Sequence, residues 1–266
     1  MTTSLYWHTE GQGSDLILIH GWGMNSAVWQ NILPALTPHY RVHCVDLPGY
    51  GFSQPSDAFS LEEMAHCLLN NSPQESIWAG WSLGGMVATQ AALIAPERVK
   101  GLVTIASSPR FSAEHGWRGI KPEVLQAFTK QLAGDFKTTV ERFLALQAMG
   151  SPTARQDIKW LKQSVLSHPW PQPEALEAGL GILANADLRP HLHDISMPWL
   201  RMYGRLDGLV PVKVAQELDV LAPQSQRQIF ANASHAPFIS DPAHFTQELQ
   251  AFCGQCLPSC QNKVTK

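Results

Sequence analysis

A chain of 266 residues, 44% hydrophobic and 15% charged, can bury the core of one large α/β domain or of a domain with an insertion. Its ordinary composition and formal net charge of -3 exclude a disordered chain and a nucleic-acid-binding surface. No apolar run reaches the length of a membrane span. The polar start from Met1 to Gly13 lacks a signal-peptide pattern, and five cysteines in no secreted-type framework point to a reducing cytoplasm.

Leu5 to His8 reads as a first strand. Asp15 to His20 is a continuous apolar run, as expected of a strand buried on both faces, and His20-Gly-Trp-Gly23 follows it. Ser26 to Leu36 predicts a helix with Ser26 near its N-cap. Arg41 to Val45 reads as a strand ending in the turn-rich loop Asp46 to Ser53. Ser60-Leu-Glu-Glu63 is a capping-box signal that opens a helix to about Asn70. A short apolar run from Ile77 then leads into Gly80-Trp-Ser-Leu-Gly-Gly85, a helix to Ala95 and a strand from Val99 to Ala106. This alternation predicts a mostly parallel, doubly wound α/β sheet with right-handed crossovers.

From about Ser112 to Asn185 no strand pattern is present. Val124 to Leu132, Phe136 to Met149 and Pro152 to Leu166 read as helices, and Pro169-Trp-Pro-Gln-Pro173 as a break. Residues 112–185 are therefore expected to form a helical cap inserted into a core made of residues 1–111 and 186–266. Alternation resumes with a strand from Pro198 to Tyr203, a helix from Pro211 to Leu221, a strand from Arg227 to Phe230 and a last helix from Asp241 to about Cys253.

Gly80-x-Ser82-x-Gly84 has the spacing of a nucleophile elbow. A Cβ at either glycine would collide with a neighbouring strand or helix, and the turn holds the serine in a strained conformation at a helix N-terminus. A serine hydroxyl needs a base within reach, and the base needs a partner that fixes its tautomer. On such a sheet the expected chain order is serine, acid, histidine. Of eleven histidines only His235 follows a late strand in a turn-rich loop, and Asp207 follows the strand before it. Ser82, Asp207 and His235 are the candidate catalytic residues. The backbone N–H groups of Leu83 and Trp22 are the candidate oxyanion donors, each worth on the order of 3 kcal/mol in the transition state. His20 is expected to brace the Trp22 loop rather than act as a base. Cys253-x-x-Cys256-x-x-x-Cys260 lacks a nearby fourth ligand and reads as tail cysteines. No metal site and no cofactor are expected.

These motifs, in this order, resemble the α/β-hydrolase family from about Leu5 to Phe252. Together with Arg142-Phe-Leu-Ala-Leu-Gln-Ala-Met-Gly150, Gly204-Arg-Leu-Asp-Gly-Leu-Val-Pro211 and Ser234-His-Ala-Pro-Phe-Ile-Ser240, they resemble one branch of it. That branch comprises the esterases that remove a methyl group from a pimeloyl chain on acyl carrier protein, in biotin synthesis. The resemblance implies substrate contacts at Trp22, Ser82, Leu83, His235 and the stretch Phe143, Leu144, Ala145, Leu146 and Gln147. Phe143, Leu144 and Leu146 would pack the acyl chain, with Gln147 as a polar contact.

Charge is uneven along the chain. Between Arg118 and Lys162 eight basic residues stand against four acidic ones, leaving +4, so with -3 overall the remainder carries -7. On the helix from Pro152 to Leu166, Ala154, Ile158, Leu161 and Val165 share one face, with Arg155, Lys159 and Lys162 in a stripe beside it. Lys137, Arg142, Arg155, Lys159 and Lys162 are the candidate docking residues for an acidic carrier protein. Lysines at 137 and 159, with neutral Thr138, depart from the arginine-rich cap of that branch, and the three-cysteine tail departs from it too.

The residues predict a serine carboxylesterase acting by an acyl-enzyme on small-molecule esters, and the resemblance implies carrier-bound esters as substrates and a monomer. A general short-chain carboxylesterase or thioesterase and a carbon–carbon bond hydrolase would use the same residues. A receptor on a hydrolase scaffold would keep the shape without turnover.

Overall fold

The computed structural model describes residues 4–55 and 60–256. Seven strands form one sheet in the order β1-β3-β2-β4-β5-β6-β7. They are β1 Trp7–Glu10, β2 Ser14–Ile19, β3 Tyr40–Val45, β4 Ser76–Trp81, β5 Val99–Ile105, β6 Trp199–Gly204 and β7 Gln226–Phe230. β1 pairs antiparallel with β3, and every other pair is parallel. All residues of β4 and β6 are buried, which is why these strands read as apolar runs without alternation.

The helices are α1 Leu33–Leu36, α2 Leu61–Asn71, α3 Leu83–Ile94, α4 Pro122–Leu132, α5 Phe136–Ala148, α6 Ala154–Leu166, α7 Pro173–Asn185, α8 Lys213–Leu221, α9 Pro237–Ser240 and α10 Pro242–Cys256. The Ser60 box forms in full: Glu63 N–H donates to Ser60 Oγ, and Ser60 N–H donates to the Glu63 carboxylate. α4, α5, α6 and α7 all lie between β5 and β6.

Several expectations need correction. The helix from Ser26 to Leu36 is instead a 3-10 turn, Ser26–Trp29, followed by the short α1. Its N-cap is Asn25, whose side chain accepts from Ala27 N–H. The stretch after the prolines is a fourth helix, α7. Pro173 occupies its first turn, where a missing N–H costs nothing. Cys253 and Cys256 lie within α10, not in a loose tail: Cys253 is buried, and Cys256 packs beside Gly101 of β5. Cys260 lies outside the described residues.

Candidate active site

β4 ends at Trp81 and α3 begins at Leu83, so the turn between them is one residue, Ser82, with φ 56° and ψ −118°. That φ is in the left-handed region, a strained place for a serine. The glycines make the turn possible. A Cβ on Gly80 would run into the backbone of Gly84, and one on Gly84 would sit 2.5 Å from the carbonyl oxygens of Ile19 and His20. Ser107 supports the turn by donating from its hydroxyl to Ser82 O at 2.7 Å.

Asp207 and His235 follow β6 and β7 and meet at the same end of the sheet. His235 Nδ1 lies 2.8 Å from Asp207 Oδ2, and both side chains are fully buried. Asp207 Oδ1 accepts from Leu209 N–H at 2.8 Å and Val210 N–H at 3.0 Å, which locks the carboxylate rotamer. The histidine backbone is clamped as well. Trp81 Nε1–H donates to His235 O at 2.7 Å, and His235 N–H donates to Gln147 O at 3.0 Å. Ser82 Oγ and His235 Nε2 are both buried without hydrogen-bond partners, so the two are not bonded to each other. In free enzymes such bonds are commonly long and tighten around substrate.

The Trp22 loop packs directly on the serine: a Cβ on Gly21 would lie 3.1 Å from Ser82 Cβ. Trp22 and Leu83 are completely buried, and among the described residues neither backbone N–H donates to a partner. Two buried orphan donors beside one hydroxyl make a place for negative charge. His20 holds the loop. Leu47 N–H donates to its Nε2 at 3.0 Å, so the proton sits on Nδ1, which donates to Gly21 O at 2.8 Å. Burial pushes the His20 pKa down to about 4, against the pull of Asp46 and Gly21 O, and the ring is neutral. Asp46 is itself buried, which raises its pKa. The His168 hydrogen bond, His20 and the N–H groups of Phe52 and Ser26 outweigh burial and hold it below the ordinary value.

α5 divides the expected substrate stretch. Phe143, Leu144 and Gln147 are buried, Leu146 is half-buried and Ala145 is exposed. The Phe143 ring meets Trp22 edge-on at 4.8 Å, whereas Ala145 and Leu146 line an outer groove with Val124, Phe128 and Arg142. Both amide atoms of Gln147 are buried and unpartnered. The basic residues are on the surface of α5 and α6. Lys137 lies over the Trp170 ring at 5.5 Å and Lys162 pairs with Glu141 at 2.9 Å, while Arg142, Arg155 and Lys159 are exposed. Sequence reasoning missed Trp81, Ser107 and Asn25. The tryptophan next to the nucleophile was the one visible signal among them. Among the described residues no group of three or more His, Cys, Asp or Glu side chains is placed to hold a metal ion.

A profile of the alpha/beta hydrolase fold matches residues 16–242. The chain belongs to the α/β-hydrolase family. This α/β-hydrolase is 70% identical over 252 residues to a pimeloyl-[acyl-carrier protein] methyl ester esterase of Photobacterium profundum, covering 95% of this chain and 99% of that one. A protein of the same name from Vibrio vulnificus is 59% identical, over 96% of this chain and all of its own length. Among solved structures, an esterase from Exiguobacterium antarcticum superposes with a TM-score of 0.85 at 22% identity, covering 95% of this chain and 96% of its own. A bromoperoxidase from Bacillus anthracis reaches 0.83 at 20% identity, over 95% of this chain and 96% of its own. At such identities the superpositions speak for the fold alone.

Proposed function

We propose that this α/β-hydrolase is a serine carboxylesterase that hydrolyses the methyl ester of a pimeloyl chain on acyl carrier protein, as a step of biotin synthesis. The full-length identity of 59–70% to relatives of that name carries the substrate assignment. The buried Ser82 hydroxyl, with a histidine and two free backbone donors around it, supports the chemistry.

His235 Nε2 takes the Ser82 proton as Oγ attacks the ester carbonyl. The Trp22 and Leu83 N–H groups hold the oxyanion, and His235 returns the proton to departing methanol. Water, deprotonated by His235, then cleaves the acyl-enzyme. Asp207 keeps the His235 proton on Nδ1 and stabilises the imidazolium. Residues 112–185 act as the cap over the remaining core. Its inner face, at Phe143 and Gln147, meets the acyl chain. Its outer basic residues, Lys137, Arg142, Arg155, Lys159 and Lys162, receive the acidic carrier. Arg142, Arg155 and Lys159 contribute most, because Lys162 is already paired with Glu141. The enzyme works as a cytoplasmic monomer. Among the described residues no helix is long and apolar enough to cross a membrane.

The test is conversion of methyl pimeloyl-carrier to the free acid, read by the mass of the carrier. Wild type should convert it, and Ser82→Ala should fold normally and convert none. Conversion by Ser82→Ala at the wild-type rate would end the assignment. Rescue of a biotin-requiring strain that lacks its own methyl esterase checks the pathway.

A further inference from the structure

We propose that the cap sets the position of the Trp22 oxyanion donor, and that Asn25 is the positioning residue that transmits it; this rests on the acyl-transfer reading of Ser82. The core holds the loop from His20 to Asn25 near its two ends. His20 accepts from Leu47 N–H and donates to Gly21 O, and Ser26 N–H donates to Asp46 Oδ1 just beyond the loop. Met24 N–H donates to Gly21 O at 3.3 Å, at the long end for such a bond.

The insertion grips the same loop from three helices. From α7, Leu176 O accepts the Trp22 indole N–H at 2.8 Å. Gly179 of that helix leaves room for the ring, since a Cβ there would lie 2.6 Å from Trp22 Cδ1. From α5, Phe143 meets the indole edge-on, and Val140 stands where a Cβ on Gly23 would touch it at 3.4 Å. From α6, Ser164 O and Val165 O accept from Asn25 Nδ2 at 2.9 and 3.3 Å.

Asn25 joins the two bodies. It is 2% exposed. Its Oδ1 starts the core 3-10 turn by accepting from Ala27 N–H at 3.0 Å. Its amide donates to two carbonyls in the last turn of α6: Ser164 O, which also accepts from Ser167 N–H and Oγ, and Val165 O. One side chain therefore caps a core turn and a cap helix, three residues from the Trp22 N–H. Misplacing an oxyanion donor by a fraction of an ångström weakens transition-state binding while leaving ground-state binding of the ester alone.

The decisive variant is Asn25→Ser. Serine keeps a short N-cap acceptor for Ala27 but reaches no carbonyl of α6. Kinetics on a soluble p-nitrophenyl ester should show kcat lower by about 10-fold or more, with KM nearly unchanged. Affinity for a boronic acid that mimics the tetrahedral intermediate should fall by the same factor as kcat/KM, and affinity for the product acid should hold. Trp22→Phe, which removes the indole donor together with part of the ring, should behave alike and carries the test if Asn25→Ser does not fold. Trp160→Phe removes a cap–core bond to Val28 O that lies outside this loop, and should lower the melting temperature without lowering kcat. Wild-type kcat in Asn25→Ser or Trp22→Phe overturns the proposal, and so does an equal kcat loss in Trp160→Phe. A wild-type protein with no turnover and no covalent Ser82 adduct overturns the parent reading first.

Discussion

Acid should unfold this protein partly through one neutral histidine. His20 is fully buried, accepts from Leu47 N–H and donates to Gly21 O, so a second proton would set two N–H groups against each other. Its pKa falls from the ordinary 6.5 to about 4 in the folded chain. Between those values the unfolded chain binds more protons, so stability rises with pH there. The stability that depends on the neutral ring is fully present above about 6.5 and is lost as pH falls toward 4. Linkage gives a loss of about 2 kcal/mol by pH 5 and about 3 kcal/mol at pH 4. Asp46 does not confuse the window, because a depressed carboxylate loses its contribution only below its ordinary value of 3.8. Urea unfolding from pH 7 to pH 5 reads the effect, and His20→Gln isolates it. With an m value of about 3 kcal/mol/M the wild-type midpoint should drop by roughly 0.7 M more than that of the variant. Midpoints that fall in parallel would refute the reasoning.

Asp207→Asn keeps an oxygen for Leu209 and Val210 N–H but presents an amide N–H to His235 Nδ1. The ring then carries its proton on Nε2, facing the serine, and kcat should fall about 10³–10⁴-fold with the fold retained by circular dichroism. Gly179→Ala forces a Cβ to 2.6 Å from Trp22 Cδ1 and 2.8 Å from Tyr50 Oη. Overpacking of about 1–3 kcal/mol is set against about 1 kcal/mol of helix propensity, so melting should show a small net loss while esterase kcat falls clearly. Gly181→Ala, two residues along α7 with nothing within 4 Å, should instead stabilise by about 1 kcal/mol and leave kcat unchanged.

The parallel sheet was legible because strands buried on both faces must be continuous apolar runs, as β2 and β4 are. Ser82 and Asp207 were legible as candidates because each follows such a run in a turn, and His235 because it follows the short strand β7 in a turn-rich loop. α7 was not. Pro169 to Pro173 read as a break, and Gly179 and Gly181 weaken a helical pattern. Yet Pro173 opens the helix, and Gly179 is demanded by an indole that lies far away in sequence. Asn25 escaped for a similar reason. Ser26 is an equally good N-cap by composition, and only the arrival of α6 gives Asn25 a use for its amide protons. Local signals report on a residue's own turn, whereas these residues answer to contacts across more than a hundred positions.

Geometry divides the stretch Phe143 to Gln147. Five consecutive helical residues sweep more than a full turn at about 100° each, so their side chains do not share one face. α5 sorts them. Phe143 and Gln147, four apart, are both buried, with Phe143 against Trp22, and Ala145 and Leu146 open onto the outer groove beside Arg142. Gln147 is the informative member. Its side chain is 1% exposed with neither amide atom bonded, a burial that costs about 1–3 kcal/mol for each unsatisfied group. A purely apolar acyl tunnel would select against it. An acyl chain with a polar group at the right depth would satisfy it, and a diester-like chain with oxygen at both ends has that character. The same helix also clamps His235 through the Gln147 carbonyl and touches Trp22 through Phe143. On the proposed reading, substrate selection and catalytic alignment share one element, so a mutation on the inner face of α5 should change kcat and KM together.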